Sequence, residues 1–137
     1  MITKLSHTTL YVLNHATAYE VYVNKLGFKV KTDFAMQNGF RWLTVATPDQ
    51  PDLEIVLYEI DAGMLGEEKA KLLHGLAEIN GLGGGVFEAD DCQKTYEDLV
   101  AKGIEFTQPP TKQFYGVEAL FRDGCGNWFS LTQRKPH

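Results

Sequence analysis

The chain repeats itself, and that constrains its fold more than any single motif. Gly27-Phe28 recurs as Gly103-Ile104 at a separation of 76 residues, and the same separation relates Leu43 to Ala119, Val45 to Phe121, and Leu53-Glu54-Ile55 to Phe129-Ser130-Leu131. Nearer the start of each copy the separation is 77, relating His7 to Gly84 and Tyr19 to Tyr96. Two copies of one supersecondary unit, each burying one sheet face under its helix, can put their remaining faces together and form a cleft.

Each copy reads β, α, β, β, β. In the first, residues 5–13 alternate as a strand, with Thr8, Leu10 and Val12 on one face and His7, Thr9 and Tyr11 on the other. Asn14 is a suitable N-cap and Gly27 a stop for a helix over 16–26, in which Ala18, Val21, Tyr22 and Leu26 form an apolar stripe. Strands follow over 28–34, 39–47 and 53–58. In the second copy, 84–89 is a short strand, Asp90 and Asp91 cap a helix over 92–102, and strands follow over 104–107, 117–122 and 127–133. The last two strands flank a turn written Asp123-Gly124-Cys125-Gly126-Asn127. Between the copies, EEKAKLLHGLAEIN predicts an amphipathic linker helix. The expected architecture is α+β: module one over 1–60, linker helix within 61–80 and module two over 81–137, the two mixed sheets enclosing a cleft.

Period-two alternation assigns the faces. Leu43, Val45, Leu53, Ile55, Leu57, Phe87, Phe121, Phe129 and Leu131 are expected beneath the helices. The other face collects Tyr11, Trp42, Tyr58, Glu88, Glu118 and Trp128, an aromatic and acidic lining for a flat or cationic small molecule. Glu54, between Leu53 and Ile55, is either at a rim or functional, since an enclosed carboxylate must find a partner or shift its pKa. His7 on a strand is either a hydrogen-bonded structural histidine or a ligand or acid-base group. His15, His74 and His137 are expected at the surface.

Several classes are excluded. A net charge of −5 with no cluster of Lys or Arg argues against nucleic acid and anionic membranes as partners. No run approaches the ~20 apolar residues of a membrane span, and MITKLSHTTLYVL lacks a signal-peptide pattern, so a cytoplasmic protein is expected. Cys92 and Cys125 have no metal-ligand spacing and are expected to be reduced. The run GLGGG lacks the Lys-Ser/Thr of a phosphate loop and precedes a strand rather than opening a helix.

The tandem βαβββ order, the segment YVNKLGFKV after the first helix, GVFEADD at the start of the second copy and the closing GNWFSLTQ together resemble the glyoxalase, bleomycin-resistance and extradiol-dioxygenase superfamily, the vicinal oxygen chelate proteins. The resemblance spans nearly the whole chain. It implies the fold but not the activity, because that superfamily holds lyases, dioxygenases, epimerases, thiol transferases and metal-free drug-binding proteins. In its metal-dependent members four positions converge on one divalent ion, and carried over they are His7, Glu54, Gly84 and Ser130. His7 and Glu54 suit Zn, Ni, Fe or Mn; Gly84 has no side chain and Ser130 offers only a neutral hydroxyl. Glu88 and Glu118 are the carboxylates available as a third ligand or as the base. Two readings therefore stand: a small-molecule-binding protein with Tyr11, Trp42, Tyr58, Glu118, Trp128 and Ser130 against the ligand, or a metal-dependent lyase or dioxygenase with His7 and Glu54 as ligands. A homodimer is expected from the resemblance.

Overall fold

A computed structural model describes residues 1–136, so the expectation for His137 lies outside the described residues. Module one holds β1 (His7–Val12), α1 (His15–Tyr19), β2 (Lys29–Ala35), β3 (Arg41–Ala46) and β4 (Glu54–Glu59). The connection holds α2 (Ala62–Leu65) and α3 (Glu67–Glu78). Module two holds β5 (Leu82–Glu88), α4 (Cys92–Ala101), β6 (Glu105–Gln113), β7 (Gly116–Arg122) and β8 (Asn127–Arg134). Two four-stranded mixed sheets result, ordered β1-β4-β3-β2 and β5-β8-β7-β6, with β1 parallel to β4 and β5 parallel to β8. The fold is α+β, built from two βαβββ modules as the repeat predicts. Among the described residues no helix is long and apolar enough to cross a membrane.

The caps form as their chemistry requires. The Asn14 side chain accepts from Thr17 N, and Asp91, the residue immediately before α4, accepts from Lys94 N. The first helix differs from the expected regular helix over 16–26: it is α-helical only to Tyr19 and continues as a π-helical stretch, Glu20–Lys25. Leu26 N bonds Val21 O, and the extra residue in that turn keeps both Val21 and Tyr22 facing inward. Strand β6 runs to Gln113, well beyond the expected 107. Its Pro109-Pro110 pair is tolerated because β6 is the sheet edge and its register slips between Gln108 and Thr111.

The helix-facing sides of both sheets join one core. Leu10, Val12, Leu43, Val45, Ile55 and Leu57 of module one pack in the same cluster as Ala119, Phe121, Phe129 and Leu131 of module two. Aromatic contacts knit the modules: Tyr22 lies edge-on to Phe129 at 6.3 Å, and Phe28 edge-on to Phe87 at 5.4 Å. A buried polar node reinforces the seam. Tyr22 Oη donates to Asp123 Oδ2 at 2.5 Å, and the same carboxylate accepts from Cys125 N, Asn127 N and Asn127 Nδ2. Asn127 Nδ2 also reaches the Tyr11 carbonyl of β1 at 2.8 Å. The turn that the sequence marks as a hairpin is thus also the polar bolt between the modules. Burial and the neighbouring Asp123 raise the Tyr22 pKa well above its ordinary value, which keeps the hydroxyl a donor.

His15 is buried, not at the surface as its sequence position predicts. Its Nε2 lies 2.8 Å from the Leu57 carbonyl and its backbone N–H donates to Glu59, tying the start of α1 to β4.

Candidate functional site

Each mixed sheet face carries a separate polar set. On module one, His7 and Glu54 are direct register partners across the parallel β1–β4 pair, with His7 Nε2 3.4 Å from Glu54 Oε2. Thr44 Oγ1, buried on β3, donates to Glu54 Oε1 at 2.7 Å, so the carboxylate is held from both sides. Aromatic side chains continue the face: Tyr11 and Tyr58 are register partners with rings 5.4 Å apart, and Phe40 lies 4.7 Å from Tyr58. Trp42 sits opposite Phe34, whose side chain is 53% exposed.

On module two the face centres on Glu118. Ser130 Oγ donates to Glu118 Oε2 at 2.6 Å, and Tyr115 Oη donates to Glu118 Oε1 at 2.5 Å. A serine hydroxyl has one hydrogen, so the 2.7 Å contact between Ser130 Oγ and Thr132 Oγ1 must be donated by Thr132. The polarity of the chain is fixed: Thr132 to Ser130 to Glu118, with Tyr115 closing on the other oxygen. The bond to Glu118 raises the Tyr115 pKa, consistent with a hydroxyl held as donor. Trp128, 45% exposed, and Val86, 66% exposed, flank this set.

Register corrects one expected equivalence. The counterpart of the His7–Glu54 pair is the residue aligned with Ser130 across β5–β8, and that residue is Val86, not Gly84. The β5–β8 register slips between Gly83 and Gly85, leaving Gly84 as an extra residue. Its missing side chain points inward: a Cβ there would lie 1.9 Å from Phe129 Cε1. Gly84 admits the Phe129 ring rather than a ligand.

Glu88 is placed apart from Glu118. It is exposed and paired to Arg134 Nε at 2.8 Å, on the rim of a groove of about 1060 Å³ between the modules. That groove is lined by Leu26, Phe28, Pro48, Phe87 and Leu99, and none of His7, Glu54, Glu118 or Ser130 borders it. No hydrogen bond among the described residues joins the polar set of one face to that of the other. Nor do any three His, Cys, Asp or Glu side chains among them approach closely enough to hold one ion.

The donor chemistry therefore does not fit a resident divalent metal. Val86 has no ligating atom, and the Ser130 hydroxyl is committed to Glu118 and Thr132. Within one chain the close pair is His7 and Glu54, short of the three protein ligands usual in catalytic sites, and the further carboxylate, Glu118, lies on the other module's face among its hydroxyl donors.

Tyr115 is the site residue that sequence reasoning missed. Its signal was the spacing Tyr115-Gly116-Val117-Glu118, which places the phenol at the hairpin turn three residues from the carboxylate; ending β6 at 107 concealed that turn.

The family model for the glyoxalase/bleomycin resistance protein/dioxygenase superfamily matches residues 4–131. The chain is 35% identical over 131 residues to the uncharacterized protein YurT of Bacillus subtilis, covering 96% of this chain and 99% of that one. The crystal structure of UcmS2 superposes with a TM-score of 0.91 at 39% identity, covering 96% of this chain and 98% of UcmS2. TnmS3, an antibiotic binding protein from Streptomyces sp. CB03234, superposes with a TM-score of 0.76 at 25% identity, covering 98% of each chain. With its paired βαβββ modules and this match along almost its whole length, the chain belongs to the glyoxalase/bleomycin resistance protein/dioxygenase superfamily.

Proposed function

We propose that the chain is a small-molecule-binding protein that takes an aromatic ligand against the acidic, aromatic sheet faces without a metal, and that it works as a homodimer. The observation that carries this reading is the substitution of Val86 and Ser130 for a second ligand pair, with the Ser130 hydroxyl turned to Glu118. Similarity to an antibiotic binding protein supports the ligand class of a small organic molecule. Tyr11, Trp42, Tyr58 and Trp128 would supply flat apolar contact, and Glu118 and Glu54 would supply acceptors.

Dimerisation is supported by the way the modules meet. Their helix-facing sides already share one core, while Phe34, Val86 and Trp128 on the mixed faces stay open to solvent. A second copy that lays its module-one face over this module-two face would cover those side chains and close the cleft. The mass in solution is then expected to be twice 15.4 kDa, checked by sedimentation equilibrium.

Elemental analysis of untagged protein, prepared without chelator and then offered Zn, Ni, Mn and Fe, tests the metal-free reading. Sub-stoichiometric uptake is expected. The close His7–Glu54 pair is the one feature that favours the alternative, a metal-dependent lyase or dioxygenase. Stoichiometric metal that disappears in both His7→Ala and Glu54→Gln overturns the binding reading in favour of that alternative.

A further inference from the structure

The two oxygens of Glu118 each meet a hydroxyl donor, from different directions. Ser130 comes from the neighbouring strand β8, and Tyr115 from the turn that joins β6 to β7. Together they fix the plane of the carboxylate, and each oxygen keeps a lone pair for a further donor. Ser130 is itself held by Thr132, so the chain has no spare hydroxyl hydrogen to turn outward. The half-buried Glu118 therefore meets a ligand purely as an acceptor, and Trp128, two residues before Ser130 on β8 and 45% exposed, supplies open aromatic surface on the same sheet face.

We propose that Tyr115 is a specificity-determining positioning residue: by clamping Glu118 opposite Ser130, it makes the module-two face select aromatic ligands that carry an O–H or N–H donor over those with an ether or a carboxylate at the same position. This inference rests on the binding reading above. A site built to accept a hydrogen bond discriminates against an analogue that cannot give one, because the acceptor is then desolvated without a partner. An anionic ligand meets like charge as well. The clamp matters because a carboxylate free to rotate points at the ligand only part of the time, which lowers apparent affinity by that fraction.

The test uses three ring-matched probes, 7-hydroxycoumarin, 7-methoxycoumarin and coumarin-7-carboxylate, at a pH where the phenol is un-ionised. Binding is measured by equilibrium dialysis to wild type, Tyr115→Phe and Glu118→Gln, with thermal melting of each variant to confirm the fold. Wild type is expected to favour the hydroxy over the methoxy probe by about tenfold or more, tenfold being the low end of the loss for one hydrogen bond to a charged group. Tyr115→Phe is expected to shrink that ratio to about threefold or less at an unchanged melting temperature, and Glu118→Gln to shrink it comparably. A merely structural Tyr115 would alter all three affinities in proportion and leave the ratio alone. Equal binding of the two neutral probes to wild type, or an unchanged or larger ratio in Tyr115→Phe, overturns the inference and leaves the binding reading standing. Failure of all three probes to bind wild type overturns both.

Discussion

Removing one oxygen from the core, by Tyr22→Phe, has a cost that the structure allows to be worked out at two pH values. Tyr22 is fully buried and its hydroxyl donates to Asp123 Oδ2, while Asp123 is 1% exposed and draws its other donors from Cys125 and Asn127. The phenyl ring of the variant keeps the packing against Phe28 and Phe129. What is lost is a hydrogen bond to a buried acidic group, worth about 1.5–3 kcal/mol. Near neutral pH the urea midpoint should fall by the equivalent of about 2 kcal/mol with an unchanged m-value, and the melting temperature by roughly 5–10 °C for a chain of this size. Alkaline pH supplies the sharper half of the test. Burial and Asp123 raise the folded pKa of Tyr22, whereas the unfolded group titrates near ~10. Between those values only the unfolded state releases the proton, so wild type loses about 1.4 kcal/mol per pH unit from this group, and Tyr22→Phe loses nothing from it. The stability gap of about 2 kcal/mol should therefore narrow to about 0.6 kcal/mol near pH ~11. A gap below about 0.5 kcal/mol at neutral pH, or one that stays constant up to pH ~11, would refute the reasoning that a buried, un-ionised Tyr22 bolts the modules together.

Two further outcomes follow from the same geometry. Gly84→Ala should destabilise the chain by about 1–3 kcal/mol in urea, because its Cβ would collide with the buried Phe129 ring; a neutral effect would restore Gly84 to the ligand face. Both thiols should resist Ellman's reagent at pH ~8 until the protein is denatured, since burial pushes Cys125 up to about 12 and also raises Cys92, leaving roughly one Cys125 in ten thousand as thiolate. Fast labelling of the folded protein would contradict that burial.

Much of the fold was legible because it is written locally and twice. Alternation on β3, β4, β7 and β8 placed Leu43, Val45, Ile55, Leu57, Phe121, Phe129 and Leu131 under the helices, and these residues form the core. Asn14 and Asp91 marked the helix starts because capping needs only neighbouring backbone. The errors lie where neighbours along the chain do not decide. His15 looked like a surface residue of a helix start, yet β4, more than forty residues onward, supplies its partners Leu57 and Glu59. The double proline disguised an edge strand, and with it the turn that carries Tyr115.

The amino-acid sequence by itself determined the architecture: a repeated βαβββ pattern of apolar periodicity and turn residues admits few other folds, because each module must bury one sheet face under its helix. Only the tertiary structure decided what the remaining faces present. A single extra residue at Gly84 slips the register of β5 against β8, so Val86 rather than Gly84 stands beside Ser130. Side-chain direction in a strand reverses with every residue, so a slip that leaves the composition untouched exchanges which atoms reach the face, and that is set by pairing between strands, not by the sequence of either.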